Sequence, residues 1–221
     1  MKKIVKSYKF HFVQKKYLFS AATAMIFLVV SLIINFYAGT YATEKASNAV
    51  TDIILSNTRV YDVDMLFIWG AVVLVSSMAI LCIIRPERIP FILKTVAFFV
   101  LVRSLFIIMT HLGPFPVQAD VNPLNLISRF SFGGDLFFSG HTGLPFLMAL
   151  SFWHNKFLRN LFLATSVFFG VVVLLGHLHY TIDVASAFFI TYGVHQISKI
   201  IFEKDYKRMI ETIPEHINVQ L

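Results

Sequence analysis

The chain is 221 residues long, 57% hydrophobic and only 14% charged, with a mean hydropathy of +0.73. A soluble domain of that length cannot hide so much apolar surface, so the composition excludes one and indicates a polytopic membrane protein. The formal charge of +7 then marks cytoplasmic segments beside anionic headgroups, and no nucleic-acid partner is expected.

Residues 1–17 form a basic cytoplasmic N-terminal segment carrying Lys2, Lys3, Lys6, Lys9, Lys15 and Lys16. It reads as a solvated tail that sets topology, the alternative being a short interfacial helix. The first apolar run is long enough to stay in the membrane, and no cleavable signal peptide is expected. Six spans follow, over residues 18–37, 65–84, 91–109, 141–153, 161–175 and 181–202. Apolar runs of about 20 residues suit a hydrocarbon core of about 30 Å. The fourth is short unless its helix starts at the glycine-rich motif described below. The expected fold is therefore all-α: a polytopic membrane protein with a six-transmembrane-helix bundle over residues 18–202 and a cytoplasmic tail over 203–221. Arg85-Pro86-Glu87-Arg88-Ile89-Pro90 is a turn, since its prolines cannot continue a helix. Lys94 is placed to snorkel to the interface. The single Cys82 lies within an apolar run and reads as a structural thiol.

Basic residues concentrate in the N-terminal segment, near Arg85, near Lys156 and in the C-terminal tail. The positive-inside rule then puts both termini in the cytoplasm. The loops before the fourth and sixth spans face the periplasmic, luminal or extracellular side.

Both of those loops end in chemistry-bearing residues. The first runs Gly133-Gly134-Asp135-Leu136-Phe137-Phe138-Ser139-Gly140-His141-Thr142-Gly143. A helix beginning near Ser139 would aim backbone N–H groups and its positive dipole end at whatever lies beside His141, a natural seat for a phosphate. The plainer alternative is a glycine-rich turn capped by Ser139. The second cluster runs Gly176-His177-Leu178-His179-Tyr180-Thr181-Ile182-Asp183-Val184. On a helix, His179 and Asp183 would share one face. The carboxylate would then take the Nδ1 proton and leave Nε2 as a nucleophile or base. The alternative is a structural hydrogen bond that fixes two helices. Arg103, inside an apolar span at similar depth, needs an anion. A phosphate would serve, as would an ion pair with Asp135 or Asp183. His177-x-His179-x3-Asp183 invites a metal, but two histidines two apart on a helix point to different sides, and no metal site is expected. His111 and His195 read as core or interfacial residues, and His11, His154 and His216 as solvated.

Gly134-Asp135 with Ser139-Gly140-His141-Thr142, and His177-x-His179-Tyr180-Thr181-x-Asp183-Val184, resemble the two signature motifs of the sphingomyelin synthase family. That family lies within the type 2 phosphatidic acid phosphatase superfamily. Arg103 followed by Thr110, Leu112, Pro114 and Pro116 is similar to the family's arginine-containing span and outer loop, so the resemblance covers residues 85–198. It implies six transmembrane helices and a His–His–Asp triad at the outer leaflet, needing neither metal nor other cofactor. By the resemblance, His179 attacks phosphorus to give a phospho-histidine, Asp183 orients it, and His141 serves as acid and then base. Arg103, Asp135, Ser139 and the Gly140 backbone complete the implied phosphate site. The implied partners are a membrane phospholipid and an acceptor, either a lipid alcohol or water. Val173 stands where the wider superfamily carries an arginine, and the phosphatases' first Lys/Arg motif is absent. The transferase reading therefore stands beside a phosphatase or phospholipase C-like hydrolase. A non-catalytic lipid-binding or transport protein is the reading from a different class.

Overall fold

The computed structural model describes residues 2–119 and 135–211, and all regular structure among them is helical. The helices are α1 (Lys2–Phe12), α2 (Lys15–Glu44), α3 (Asp64–Ile84), α4 (Ile89–Met109), α5 (Gly140–Ser151), α6 (Lys156–Leu175), α7 (Thr181–Ile201) and α8 (Glu203–Glu211). Pro123, Arg129, Gly133, Gly134 and His216 lie outside the described residues.

Four stretches are long and apolar enough to cross a membrane: Lys15–Glu44, Asp64–Ile84, Pro86–Met109 and Lys156–Leu175. The other two expected spans differ from these for separate reasons. Helix α7 has the length, at 21 residues, but carries Asp183, His195 and Lys199. Helix α5 does start at the motif, yet its 12 residues rise only about 18 Å, well short of the hydrocarbon core. Helix α2 also runs past its expected end at residue 37, so the first loop is shorter than the apolar pattern implied.

Helices α2 and α4 lie side by side and run parallel. Lys94 Nζ donates to Ser20 Oγ at 2.8 Å near one end, and Ser104 Oγ to Asn35 Oδ1 at 3.3 Å near the other. Helix α5 packs against α6 and α7, and α7 in turn against α4. The main core lies among α3, α4, α5, α6 and α7 and includes Phe99, Phe138, Leu147, Met148 and Phe169.

The basic end is more structured than the sequence suggests. Residues 2–12 form helix α1 rather than a solvated tail. His11, expected to be solvated, is buried, with Nε2 3.9 Å from the carboxylate of Glu87, itself only 3% exposed. That partner is distant in the chain, so no local pattern discloses it. Lys94 does not snorkel: its Nζ lies 2.6 Å from Asp205 Oδ2, tying α4 to α8.

One seam departs from ordinary packing. Several other hydroxyls in the spans turn back to their own helix, as Ser31 to Leu28, Ser77 to Leu74 and Ser151 to Leu147, and others bond a neighbouring helix, as Ser166 to the Thr142 carbonyl. Thr95 on α4, and Thr191 and Ser198 on α7, do neither. Their oxygens are buried without a hydrogen-bond partner, as are both ring nitrogens of His195. On α7 these three residues fall on one face.

Candidate active site

Three local structures build the site at the end of the bundle opposite α1 and α8. The first is the start of α5. Ser139 is its N-cap, and its Oγ accepts from the Thr142 N–H at 3.3 Å and from Thr142 Oγ1 at 3.2 Å. His141 is the second helical residue. Its ring stacks on Phe67 of α3, with centroids 3.9 Å apart and planes 27° apart, while Phe169 of α6 lies 5.7 Å away. The serine-capped turn considered from sequence is thus present, and it holds His141 at a helix N-terminus.

The second is the start of α7. His179 and Asp183 are not on one helical face, because Tyr180 is the extended N-cap and His179 precedes it. Asp183 reaches back instead. Its Oδ2 accepts from the Tyr180 N–H at 2.9 Å and lies 3.4 Å from His179 Nδ1. Its Oδ1 is buried without a partner. The contact expected between the pair is therefore made through helix capping rather than through an i,i+4 face. The two motifs touch directly: the Ser139 N–H donates to the Asp183 carbonyl at 3.1 Å. That bond joins the first turn of α5 to the first turn of α7.

The third is Arg103 on α4. Its Nη1 lies 3.1 Å from Asp135 Oδ2, Nη2 donates to the Asp135 carbonyl at 2.7 Å, and Nε donates to the Phe138 carbonyl at 2.9 Å. The ion pair with Asp135 considered from sequence is formed. With the Phe138 bond it uses three of the guanidinium's five N–H donors. The group is held rigidly by the segment that leads into Ser139. Gly140 packs closely against it: a Cβ there would lie 3.3 Å from Arg103 Nε, and the guanidinium would have to give by a few tenths of an ångström.

Arg103, Asp135, Gly140, His141 and His179 all line one cavity of about 810 Å³. From this polar end the cavity continues between α2, α3 and α4 along apolar side chains. Ser139 and Asp183 are fully buried and lie behind this surface.

Sequence reasoning missed the groups that hold the rim together. Asp52, in the loop between α2 and α3, accepts from the Thr181 N–H at 2.7 Å and from Thr181 Oγ1 at 2.6 Å, capping α7 across 129 residues. It also accepts from the N–H groups of Ile54 and Leu55. Burial raises the Asp52 pKa, but the bonds from Thr181, Leu55 and Ile54 outweigh it and hold the carboxyl below its ordinary value. Tyr180 Oη donates to the Gly113 carbonyl at 2.8 Å and accepts from the Val50 N–H at 3.2 Å. Only the acidity of the loop hinted at Asp52, and nothing near it in sequence names Thr181. His177 lies beside this network: Nε2 faces Thr58 Oγ1 at 3.2 Å and Nδ1 faces the Val117 carbonyl at 3.0 Å. Its backbone φ is 55°. Both nitrogens are thus engaged with loop groups. No cluster of three metal-ligating side chains occurs among the described residues.

Residues 133–200 match the family model described as PAP2 superfamily C-terminal, a segment that takes in both histidine motifs. No curated protein and no solved structure matches the chain.

Proposed function

We propose that the protein is an integral-membrane lipid phosphotransferase resembling sphingomyelin synthase. It would move a phospho-headgroup from a phospholipid to a lipid alcohol through a phospho-histidine. The observation that carries this reading is the Ser139–Asp183 backbone bond at 3.1 Å, which joins the motifs beside a cavity lined by His141, His179 and Arg103. The match to the PAP2 superfamily supports a lipid phosphatase or phosphotransferase-type activity on membrane lipid. The sphingomyelin synthase likeness rests on the motif spelling and on Arg103 with its outer loop. The fold in this reading is a six-helix bundle with α5 as the short fourth member. The basic end faces the cytosol and the site faces outward.

In the first step Nε2 of His179 attacks phosphorus. The P–O bond to the diacylglycerol oxygen breaks, and His141 protonates the departing alkoxide. Asp183 accepts a hydrogen bond from Nδ1–H and keeps the ring in the attacking tautomer. Two remaining N–H donors of Arg103, the backbone N–H of Gly140 and the α5 dipole neutralise the phosphoryl oxygens. In the second step His141 takes a proton from the acceptor hydroxyl, which attacks phosphorus as the P–N bond to His179 breaks. Asp135 acts through Arg103, and Ser139 through the turn that aims Gly140 and His141. Excluding water from an apolar cavity strengthens each of these charge interactions.

The same residues perform hydrolysis if water takes the acceptor's place, and the superfamily match supports that alternative equally. Incubating purified protein with headgroup-labelled phospholipid, with and without ceramide or diacylglycerol, separates the two. A new phospholipid identifies transfer, whereas released phosphate or phospho-headgroup identifies hydrolysis. Turnover retained in His179→Ala would overturn both.

A further inference from the structure

We propose that the inner end of the cavity, lined by Met78, Cys82 and Ile92, measures the length of the substrate's hydrocarbon chain. The proposal rests on the lipid reading above and adds specificity-determining residues to it.

The cavity is polar at one end only. Arg103, Asp135, His141 and His179 gather there, and the walls below them are apolar. On α4 the lining runs from Arg103 through Val100 and Val96 to Ile92. That is a depth of about 16 Å at 1.5 Å per residue. One leaflet of a hydrocarbon core of about 30 Å has the same depth. A phosphate at Arg103 thus leaves its attached chain one leaflet of apolar wall. The chain is the occupant that this continuity selects.

The inner end is a floor because of connectivity. Helices α3 and α4 form two walls of the cavity and are joined directly below it by the 3-10 turn Pro86–Arg88. No gap between those helices can extend past their own connection. The turn is also pinned from several sides. Tyr17 Oη donates to the Pro86 carbonyl at 2.8 Å, and Arg88 Nη1 to the Leu81 carbonyl at 3.3 Å. The Arg88 guanidinium lies 4.9 Å from the centre of the Phe152 ring. Glu87 is buried beside His11 and Arg85. A chain lying between α3 and α4 therefore meets this turn and cannot run past it. A shorter chain leaves the floor uncovered.

Two measurements test this. Phosphatidic acid and phosphatidylcholine, each from dioctanoyl to distearoyl, are assayed with wild type, Cys82→Trp and Ile92→Ala. Raising the floor with Cys82→Trp should move the optimum to shorter chains. The ratio of distearoyl to dioctanoyl turnover should fall about tenfold, the effect of roughly two methylenes left unburied. Ile92→Ala should move the optimum the other way, which guards against a tryptophan variant that does not fold. Separately, Cys82 is the single thiol of the chain, so maleimide labelling of the wild type reports floor occupancy without any turnover. Protection should rise with chain length. Length profiles that coincide in wild type and both variants, or labelling indifferent to chain length, overturn the ruler. If no lipid is turned over by the wild type while graded protection persists, the catalytic reading fails and the ruler stands.

Discussion

Asp183→Asn removes the negative charge at the centre of the proposed triad while keeping the side chain's shape. Two effects on stability oppose each other. Asp183 is fully buried, and a charge-assisted hydrogen bond to such a group contributes about 1.5–3 kcal/mol. Asparagine can keep the 2.9 Å bond from the Tyr180 N–H, although as a neutral one. Against that loss, Oδ1 has no partner, and a buried amide is cheaper to desolvate than a carboxylate. The net change should stay within about 1 kcal/mol. Catalysis has no such compensation. The amide oxygen that keeps the Tyr180 bond also faces Nδ1, so the tautomer survives, but no negative charge remains to stabilise the positive charge that develops on the ring as Nε2 attacks. Turnover should fall about 10²- to 10⁴-fold, or about 3–5 kcal/mol of barrier. The assay is product formation from labelled phospholipid, paired with thermal unfolding of the same preparation. Turnover within threefold of wild type together with a lowered Tm would refute the reasoning and leave Asp183 as a helix cap alone.

Other outcomes are equally specific. Gly140→Ala should displace the Arg103 guanidinium by a few tenths of an ångström, since the new Cβ lies 3.3 Å from Nε. A loss of about tenfold in kcat/KM with little change in Tm is expected, and an unchanged kcat/KM would detach Gly140 from the phosphate site. Arg103→Lys strands the carbonyls of Asp135 and Phe138 and should cost about 2–4 kcal/mol in denaturant unfolding, besides activity. Gly143→Ala puts a Cβ 2.8 Å from Phe99 and 2.9 Å from Thr191 Oγ1, so overpacking should destabilise by about 1–3 kcal/mol, read as a lower Tm. Asp52→Ala should cost about 1–2 kcal/mol through loss of the α7 cap. Because the folded carboxyl titrates below its ordinary value, this stabilisation is complete above about pH 4 and is lost as pH falls through the lower folded value. The stability gap between wild type and Asp52→Ala should therefore narrow only below about pH 4. A gap that closes near neutrality would contradict the assignment.

Much of the membrane architecture was legible because apolar runs of membrane length have few other uses. What stayed hidden depends on partners far away in sequence. His11 looked solvated because its burial depends on Glu87, and Lys94 looked like an interface residue because Asp205 is not near it in the chain. Both histidine motifs stood out by residue type and fall within the family match, but the i,i+4 geometry presupposed a helix that had already begun at His179. The better signal was Asp183 itself, an acid in the first turn of a helix, where it reaches back to the residues just before the cap. The Arg103–Asp135 pair was an open alternative to a phosphate. The structure shows that a rigid guanidinium can take the carboxylate and still keep donors for another anion.

The clasp between Asp52 and Thr181 has a bearing on biogenesis. Asp52 leaves the ribosome early and Thr181 near the end, with 129 residues between them. Until α7 has been made and docks, its first turn lacks that carboxylate and the early loop lacks its anchor. The rim is therefore completed late, only after most of the chain has been translated.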